Sequence, residues 1–318
     1  MTIQEQLKWD QVDDETLAYM KAIGVDYLTV YPTAEDLSDG RDRLQYWKDR
    51  VVQVESHDLV LRNVASKCWD AITLGREDRD QKIDAWCMFL RNIGEAGIPT
   101  LGYNFKPIGN FRTESAIGRG GVKYSTFNYD EWSQSDHRVP DKTIDEDSMW
   151  ANIEYFLERV IPVAESAGVV MALHPDDPPI PEAMGGAARI VSTLEQYHRI
   201  FRLVDSPSNA MLFCQGCVSE MGEDVFSAIR DIGERGKIAY VHFRDIQGTP
   251  KDFREVFIDE GKTDMRKAME TYKEVGFNGP VMMAHTPRFP QSKAEWVGRA
   301  YAVGYMRAMI QTVYGDAS

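Results

Sequence analysis

Eight short apolar runs recur along the 318-residue chain, most of them followed by a longer stretch of helical period, and no linker or break in composition interrupts the series. The runs fall at 6–9, 27–31, 59–64, 100–105, 169–174, 211–214, 238–243 and 280–283. Between them, residues 13–23, 78–96, 148–167, 193–204, 224–235, 264–275 and 293–313 carry amphipathic patterns, several opening on Asp, Ser or Thr and closing near Gly. A strand that feeds a helix and then another strand lies parallel to its predecessor with the helix packed outside. Eight such units over residues 1–318 predict a single (β/α)8 TIM barrel, and a doubly wound sheet with a small extra domain is the alternative. With 43% hydrophobic and 27% charged residues, the chain can bury the core either fold needs.

One connection departs from the pattern. Residues 106–147 show little periodicity, and a structureless loop longer than about 15 residues is usually functional or disordered. This one holds Lys106, Arg112, Arg119, Gly120, Gly121 and Lys123 among aromatic residues, a poor composition for disorder. It reads as a lid or substrate-binding excursion over the barrel mouth. A solvated loop or an oligomer contact fits the same composition, and association into a homo-oligomer stays open.

In a parallel barrel the chemistry collects where the strands end. The fifth run ends at His174, followed by Pro175-Asp176-Asp177-Pro178-Pro179; the sixth ends at Cys214, the seventh carries His242 before Phe243-Arg244-Asp245, and the eighth runs into His285. The chain has six histidines, and three of them stand at these strand ends, whereas His57, His137 and His198 fall in helix or loop segments. A lone strand-end histidine is more often a hydrogen-bonded structural residue than a ligand; repetition on adjacent strands shifts the reading to a metal centre held by His174, Cys214 and His242. Imidazole and thiolate donors suit zinc, iron(II) or manganese(II) better than magnesium or calcium. At an open barrel mouth such a centre is catalytic, with positions left for water or substrate oxygens.

Other polar groups follow the same strands. Asn104 and Lys106 follow the fourth run, and Arg244 is suited to bidentate capture of a carboxylate, or to pairing with a rim acid. Asp176 and Asp177 are placed to act as a base or to orient a ligand, although a turn also favours Asp. The four cysteines, Cys68, Cys87, Cys214 and Cys217, read as reduced thiols. Cys214 and Cys217 form a C-x-x-C, but a structural zinc site needs a second pair, and a redox pair belongs at a helix N-terminus, whereas Cys214 closes an apolar run. Cys214 alone could equally be a buried small hydrophobe.

The formal net charge of −14, with no long basic stretch, argues against nucleic acid and anionic membranes as partners. No signal peptide or membrane-spanning apolar run is visible, so a cytoplasmic location is expected.

The residues resemble the mannonate dehydratase family, whose fold is a xylose-isomerase-like TIM barrel. The matching motifs are Tyr103-Asn104-Phe105-Lys106-Pro107, the run from His174 to Pro179 continuing through Gly185 to Arg189-Ile190-Val191-Ser192-Thr193, Phe213-Cys214-Gln215-Gly216, Val241-His242-Phe243-Arg244-Asp245-Ile246 and Asp264-Met265. The resemblance implies a metal-dependent conversion of D-mannonate, a sugar acid, to 2-dehydro-3-deoxy-D-gluconate and water, as a step of hexuronate catabolism. It implies Mn2+ or Fe2+, with Zn2+ compatible, on His174, Cys214 and His242. It further implies His285, Asp176 and Arg244 as catalytic residues, and Asn104, Lys106, Arg112, Arg288 and Tyr301 as substrate contacts. The chain departs from the family at Met283-Ala284-His285-Thr286-Pro287-Arg288, where the family has Asp-His-Gly-Arg with the Asp a metal ligand. Ala284 supplies no donor, and Arg288 is displaced by one residue. Asn110-Phe111-Arg112-Thr113 likewise replaces Asp-Trp-x-Arg-Thr, and Tyr301 and Tyr305 stand near, not at, the place of a family tyrosine. Three readings follow: the dehydratase, an isomerase, epimerase or dehydratase of a related sugar acid or keto-sugar, and a catalytically silent sugar-acid binding barrel.

Overall fold

The computed structural model describes residues 1–32, 37–290 and 296–315. Eight parallel strands, β1 Thr2–Lys8, β2 Tyr27–Tyr31, β3 Val60–Lys67, β4 Thr100–Asn104, β5 Val170–Leu173, β6 Asn209–Cys214, β7 Ile238–His242 and β8 Pro280–Met282, pair in sequence order and close through β8 onto β1. The eight-stranded barrel is therefore present, and the doubly wound alternative falls. Among the described residues the large helices are α1 Asp14–Ile23, α2 Leu44–Glu55, α3 Arg79–Glu95, α4 Glu146–Ser166, α5 Leu194–Leu203, α6 Val225–Glu234, α7 Met265–Glu274 and α8 Val297–Tyr314. The expected start of the last helix at 293–295 lies outside the described residues. Among the described residues, no helix is long and apolar enough to cross a membrane.

The first strand begins earlier than expected, at Thr2 instead of residue 6, and the physical reason is its polar but buried content. Gln4 is fully buried and donates to Thr29 Oγ1 at 2.8 Å, while the buried carboxylate of Glu5 pairs with Arg299 on α8. Partners on the neighbouring strand β2 and on α8 replace the water these groups lose. The search for apolar periodicity also missed α2, which buries Trp47 and Val54 but has no side-chain cap at Arg43. Helices with strong caps fell where expected: Asp13, Asp145, Asp224 and Asp264 each accept from the N3 backbone N–H, and Thr193 and Gln196 form a capping box.

Two of these features hold the site in place. The Tyr197 hydroxyl of α5 donates to the carbonyl of Leu173 at 2.9 Å, anchoring the residue before His174. In β6 and β7, Cys214 and His242 are register partners, so both reach the mouth at the same height.

The excursion at 106–147 is structured by a partner that the sequence reading did not foresee. Its strand Thr126–Asn128 pairs antiparallel with Asp252–Glu255, which pairs in turn with Ile246–Thr249 just after β7. Phe127, Phe253, Ile246, Ile180 and Met184 form a small core of their own beneath this sheet. Burying Phe127 and Phe253 contributes roughly 2–3 kcal/mol each. The segment is therefore a packed wall over the mouth.

Candidate active site

Strands β5, β6 and β7 deliver His174, Cys214 and His242 to one place. The two imidazole ring centres are 5.2 Å apart. Nδ1 of His174 lies 2.6 Å from the carbonyl oxygen of Pro175, which can only accept, so Nδ1 is the donor in this contact and Nε2 is the ring atom left to meet a ligand. Nε2 of His242 is buried and, among the described residues, has no hydrogen-bond partner. Burial pushes the pKa of His242 down to about 4, which keeps its imidazole neutral. Burial opposes a thiolate at Cys214, but the neighbouring Cys217, the Arg244 charge and the two imidazoles outweigh it and hold the thiol well below its usual range.

Beside this cluster lies a network of charges that burial forces into mutual pairing. Arg112 bridges Asp177 at 2.8 Å and Glu255 at 2.7 Å. Arg244, almost wholly buried, reaches Glu220 at 2.8 Å, Glu255 at 3.4 Å and Asp177 at 3.6 Å. Burial raises the pKa of Asp177, but Arg112 and Arg244 overcome it and hold the carboxyl well below the usual range. Nδ1 of His285 sits 3.2 Å from Glu255. The packed walls and Arg244 lower the pKa of His285 despite Glu255, although 44% of its side chain is exposed where the ring opens into the cavity.

Two adjoining cavities meet at Asn110 and His285. One, of about 320 Å³, includes His174, His242, Asn104, Asp177 and Ala284; the other, of about 380 Å³, includes Arg112, Lys123, Arg244, Glu255 and Arg288. A space with metal-competent donors at one end and four cationic side chains at the other is built for a small anionic, oxygen-rich molecule.

Most expected residues arrive here, and three do not. Asp176 turns away: its carboxylate accepts from Val191 N at 3.1 Å and Ser192 Oγ at 3.2 Å, with Arg189 at 3.5 Å, so it braces the 189–192 segment, and Asp177 faces the cavity instead. Tyr301 stands apart from both cavities, half-exposed against Arg119 and Phe257. Lys106 is buried behind the wall and donates to Asn110 at 2.7 Å. Burial and the neighbouring Arg189 charge lower its pKa. Sequence reasoning missed Glu255 and Glu220, and no local pattern pointed to Glu255 because it sits in the unforeseen hairpin. The C-x-x-C was also misjudged. Cys214 does close a strand, yet it is at the same time the N-cap of the short helix Gln215–Glu220 that carries Cys217.

The model of the D-mannonate dehydratase (UxuA) family matches residues 5–139 and 133–316. The chain is 31% identical over 273 residues to the mannonate dehydratase of Streptococcus agalactiae, covering 77% of each protein. The chain belongs to the mannonate dehydratase family. Mannonate dehydratase 2 of Halalkalibacterium halodurans is 29% identical over 261 residues, covering 73% of this chain and 75% of that protein. The crystal structure of mannonate dehydratase from Streptococcus suis superposes with a TM-score of 0.87 at 26% identity, covering 98% of this chain and 94% of that one. D-psicose 3-epimerase from Clostridium cellulolyticum shares the fold at a TM-score of 0.66 and 14% identity. Mannonate dehydratases are metal-dependent hydro-lyases. The residues present fit an ion: Nε2 of His242, buried and without a partner among the described residues, and the imidazole of His174, whose Nδ1 is tied to the Pro175 carbonyl, supply the donors that such a centre requires.

Proposed function

We propose that this protein dehydrates D-mannonate to 2-dehydro-3-deoxy-D-gluconate, removing a proton from C2 and the hydroxyl from C3. The observation that carries the reading is the meeting of the His174, Cys214 and His242 donors with the cation-lined cavity at His285. His174, Cys214 and His242 would hold a divalent ion, Mn2+ or Fe2+ with Zn2+ compatible, whose chemistry is to polarise substrate oxygens and make the C2 proton more acidic. Arg288 and Lys123, both on the cavity wall, bind the carboxylate end. Arg244 and Arg112, already shared among Asp177, Glu220 and Glu255, fix that wall. His285, neutral by its lowered pKa, takes a proton; Glu255 stabilises the imidazolium, which hands a proton to the departing hydroxyl. Wall residues from 106–147 and 246–255 keep bulk water from the reacting carbons.

The test is a coupled assay with metal-loaded protein and D-mannonate, for which formation of the 2-keto-3-deoxy acid is expected. No product with Mn2+, Fe2+ or Zn2+ would refute the reading. Since Ala284 departs from the family at the end of β8, a related sugar acid is the second reading, and the same assay run with epimeric hexonates separates the two. His174→Ala is expected to lose metal while keeping its circular dichroism spectrum; unchanged metal content would dispose of the assigned centre.

A further inference from the structure

We propose that Cys217 is a second thiolate donor to the metal centre, so that the ion is held by two sulfurs together with imidazole nitrogen. This rests on the reading above that an ion is bound at the ends of β5 to β7.

Ligand atoms of His174, Cys214 and Cys217 all lie within 4.8 Å of one another, the spacing one ion can bridge. Both cysteines are wholly buried. Their placement follows from the local fold: Cys214 ends β6 and caps Gln215–Glu220, so Cys217, three residues on in a helical turn, falls on the same side. At the end of β8, Ala284 lines the same cavity with a methyl group and adds no donor.

A buried cysteine is usually a small hydrophobe, and Cys217 does belong to an apolar cluster with Ala172, Leu212, Cys214, Tyr240 and Met282. An apolar role does not account for Arg244. Its Nη2 donates to Cys217 Sγ at 3.2 Å while Nη1 is held by Glu220 at 2.8 Å, so a guanidinium is fixed against this sulfur in a buried setting. Gly216 is required by the same approach, because a Cβ there would run into the Arg244 guanidinium. A positive group held against a sulfur is the second-sphere arrangement that stabilises a metal-bound thiolate. Each thiol releases its proton to solvent on binding. Two thiolates make the donor set softer, favouring Zn2+, Fe2+ and Co2+ over Mn2+.

X-ray absorption at the metal edge of the full chain, stripped with a chelator and reloaded with Zn2+ or Co2+, counts the sulfurs directly. Two sulfur scatterers per ion at about 2.3 Å are expected in the unaltered protein. Cys217→Ser and Cys214→Ser should each show one, with the near-ultraviolet sulfur-to-cobalt band reduced by about half in each. One sulfur in the unaltered protein, or a cobalt band that Cys217→Ser leaves unchanged, overturns the role of Cys217 while leaving the ion site standing. Failure of the unaltered chain to retain any ion sinks the metal centre and this proposal together. If Cys217→Ser does not fold, the sulfur count of the unaltered protein still decides.

Discussion

Oε2 of Glu255 lies 3.2 Å from Nδ1 of His285, and the same carboxylate reaches Arg112 at 2.7 Å and Arg244 at 3.4 Å. A residue of the wall thus orients a histidine at the end of β8 and pairs with two arginines beside it. The arrangement fixes the His285 proton on Nδ1 when the ring is neutral, leaving Nε2 to face the substrate.

Replacing Glu255 by Gln keeps the shape and removes the charge. The negative charge of Glu255 raises the proton affinity of His285, so its loss lowers that pKa further. The acidic limb of the kcat/KM profile should move to lower pH, and kcat/KM should fall by about 10- to 100-fold. A pH profile measured from 4.5 to 8 checks both; an unmoved limb would show that His285 does not carry the titration.

Ala284 adopts φ +68°, a left-handed conformation that alanine takes at a cost and Asp or Asn tolerates better. Ala284→Asp should be accepted by the backbone and add a hard oxygen donor to the cavity that holds His174 and His242. Affinity for Mn2+ should rise by at least about tenfold, or ~1.4 kcal/mol, as measured by equilibrium dialysis. No gain would place the side chain at 284 out of reach of the ion.

Phe127 is completely buried between the wall and the hairpin after β7. Phe127→Ala should cost about 3–5 kcal/mol of local packing, loosening the wall without opening the barrel. Limited proteolysis should then cut within 106–147 at least about tenfold faster, and KM should rise, while metal content stays unchanged. Resistance equal to that of the unaltered chain would refute this account of the wall.

Arg299 is the partner of the fully buried Glu5. Burial raises the Glu5 pKa against the pull of Arg299, so in the folded chain Glu5 binds its proton more tightly than in the unfolded one. The corresponding stability is present at low pH and lost as pH rises through the folded value. Arg299→Met raises that value further, so the variant's deficit should be small near pH 4.5 and grow to about 3 kcal/mol at pH 8. Thermal melts at both pH values test the sign; a larger deficit in acid would contradict it.

The legible parts of this protein were those written in local periodicity. Seven helices and the barrel order followed from apolar spacing and from caps such as Asp224 and Asp264, and His174, Cys214 and His242 followed from where the runs stop. What stayed hidden depends on partners distant in sequence. Gln4 and Glu5 fall outside the expected run 6–9 because they are polar, and their satisfaction comes from Thr29 and Arg299. Adjacent Asp176 and Asp177 cannot be told apart by type, and only the contacts with Val191, Ser192 and Arg112 separate the brace from the cavity residue. Glu255 was invisible because its strand exists only by pairing with Thr126–Asn128.

That pairing ties together two stretches of chain that start three strands apart around the mouth. A single residue inserted or removed in either would slip the register and turn Glu255 out of the cavity, exchanging the faces of the strand. The two connections are thus bound to change length only in concert, and a graft that transplants one of them onto another barrel without its counterpart would carry the sequence of the wall but not its chemistry.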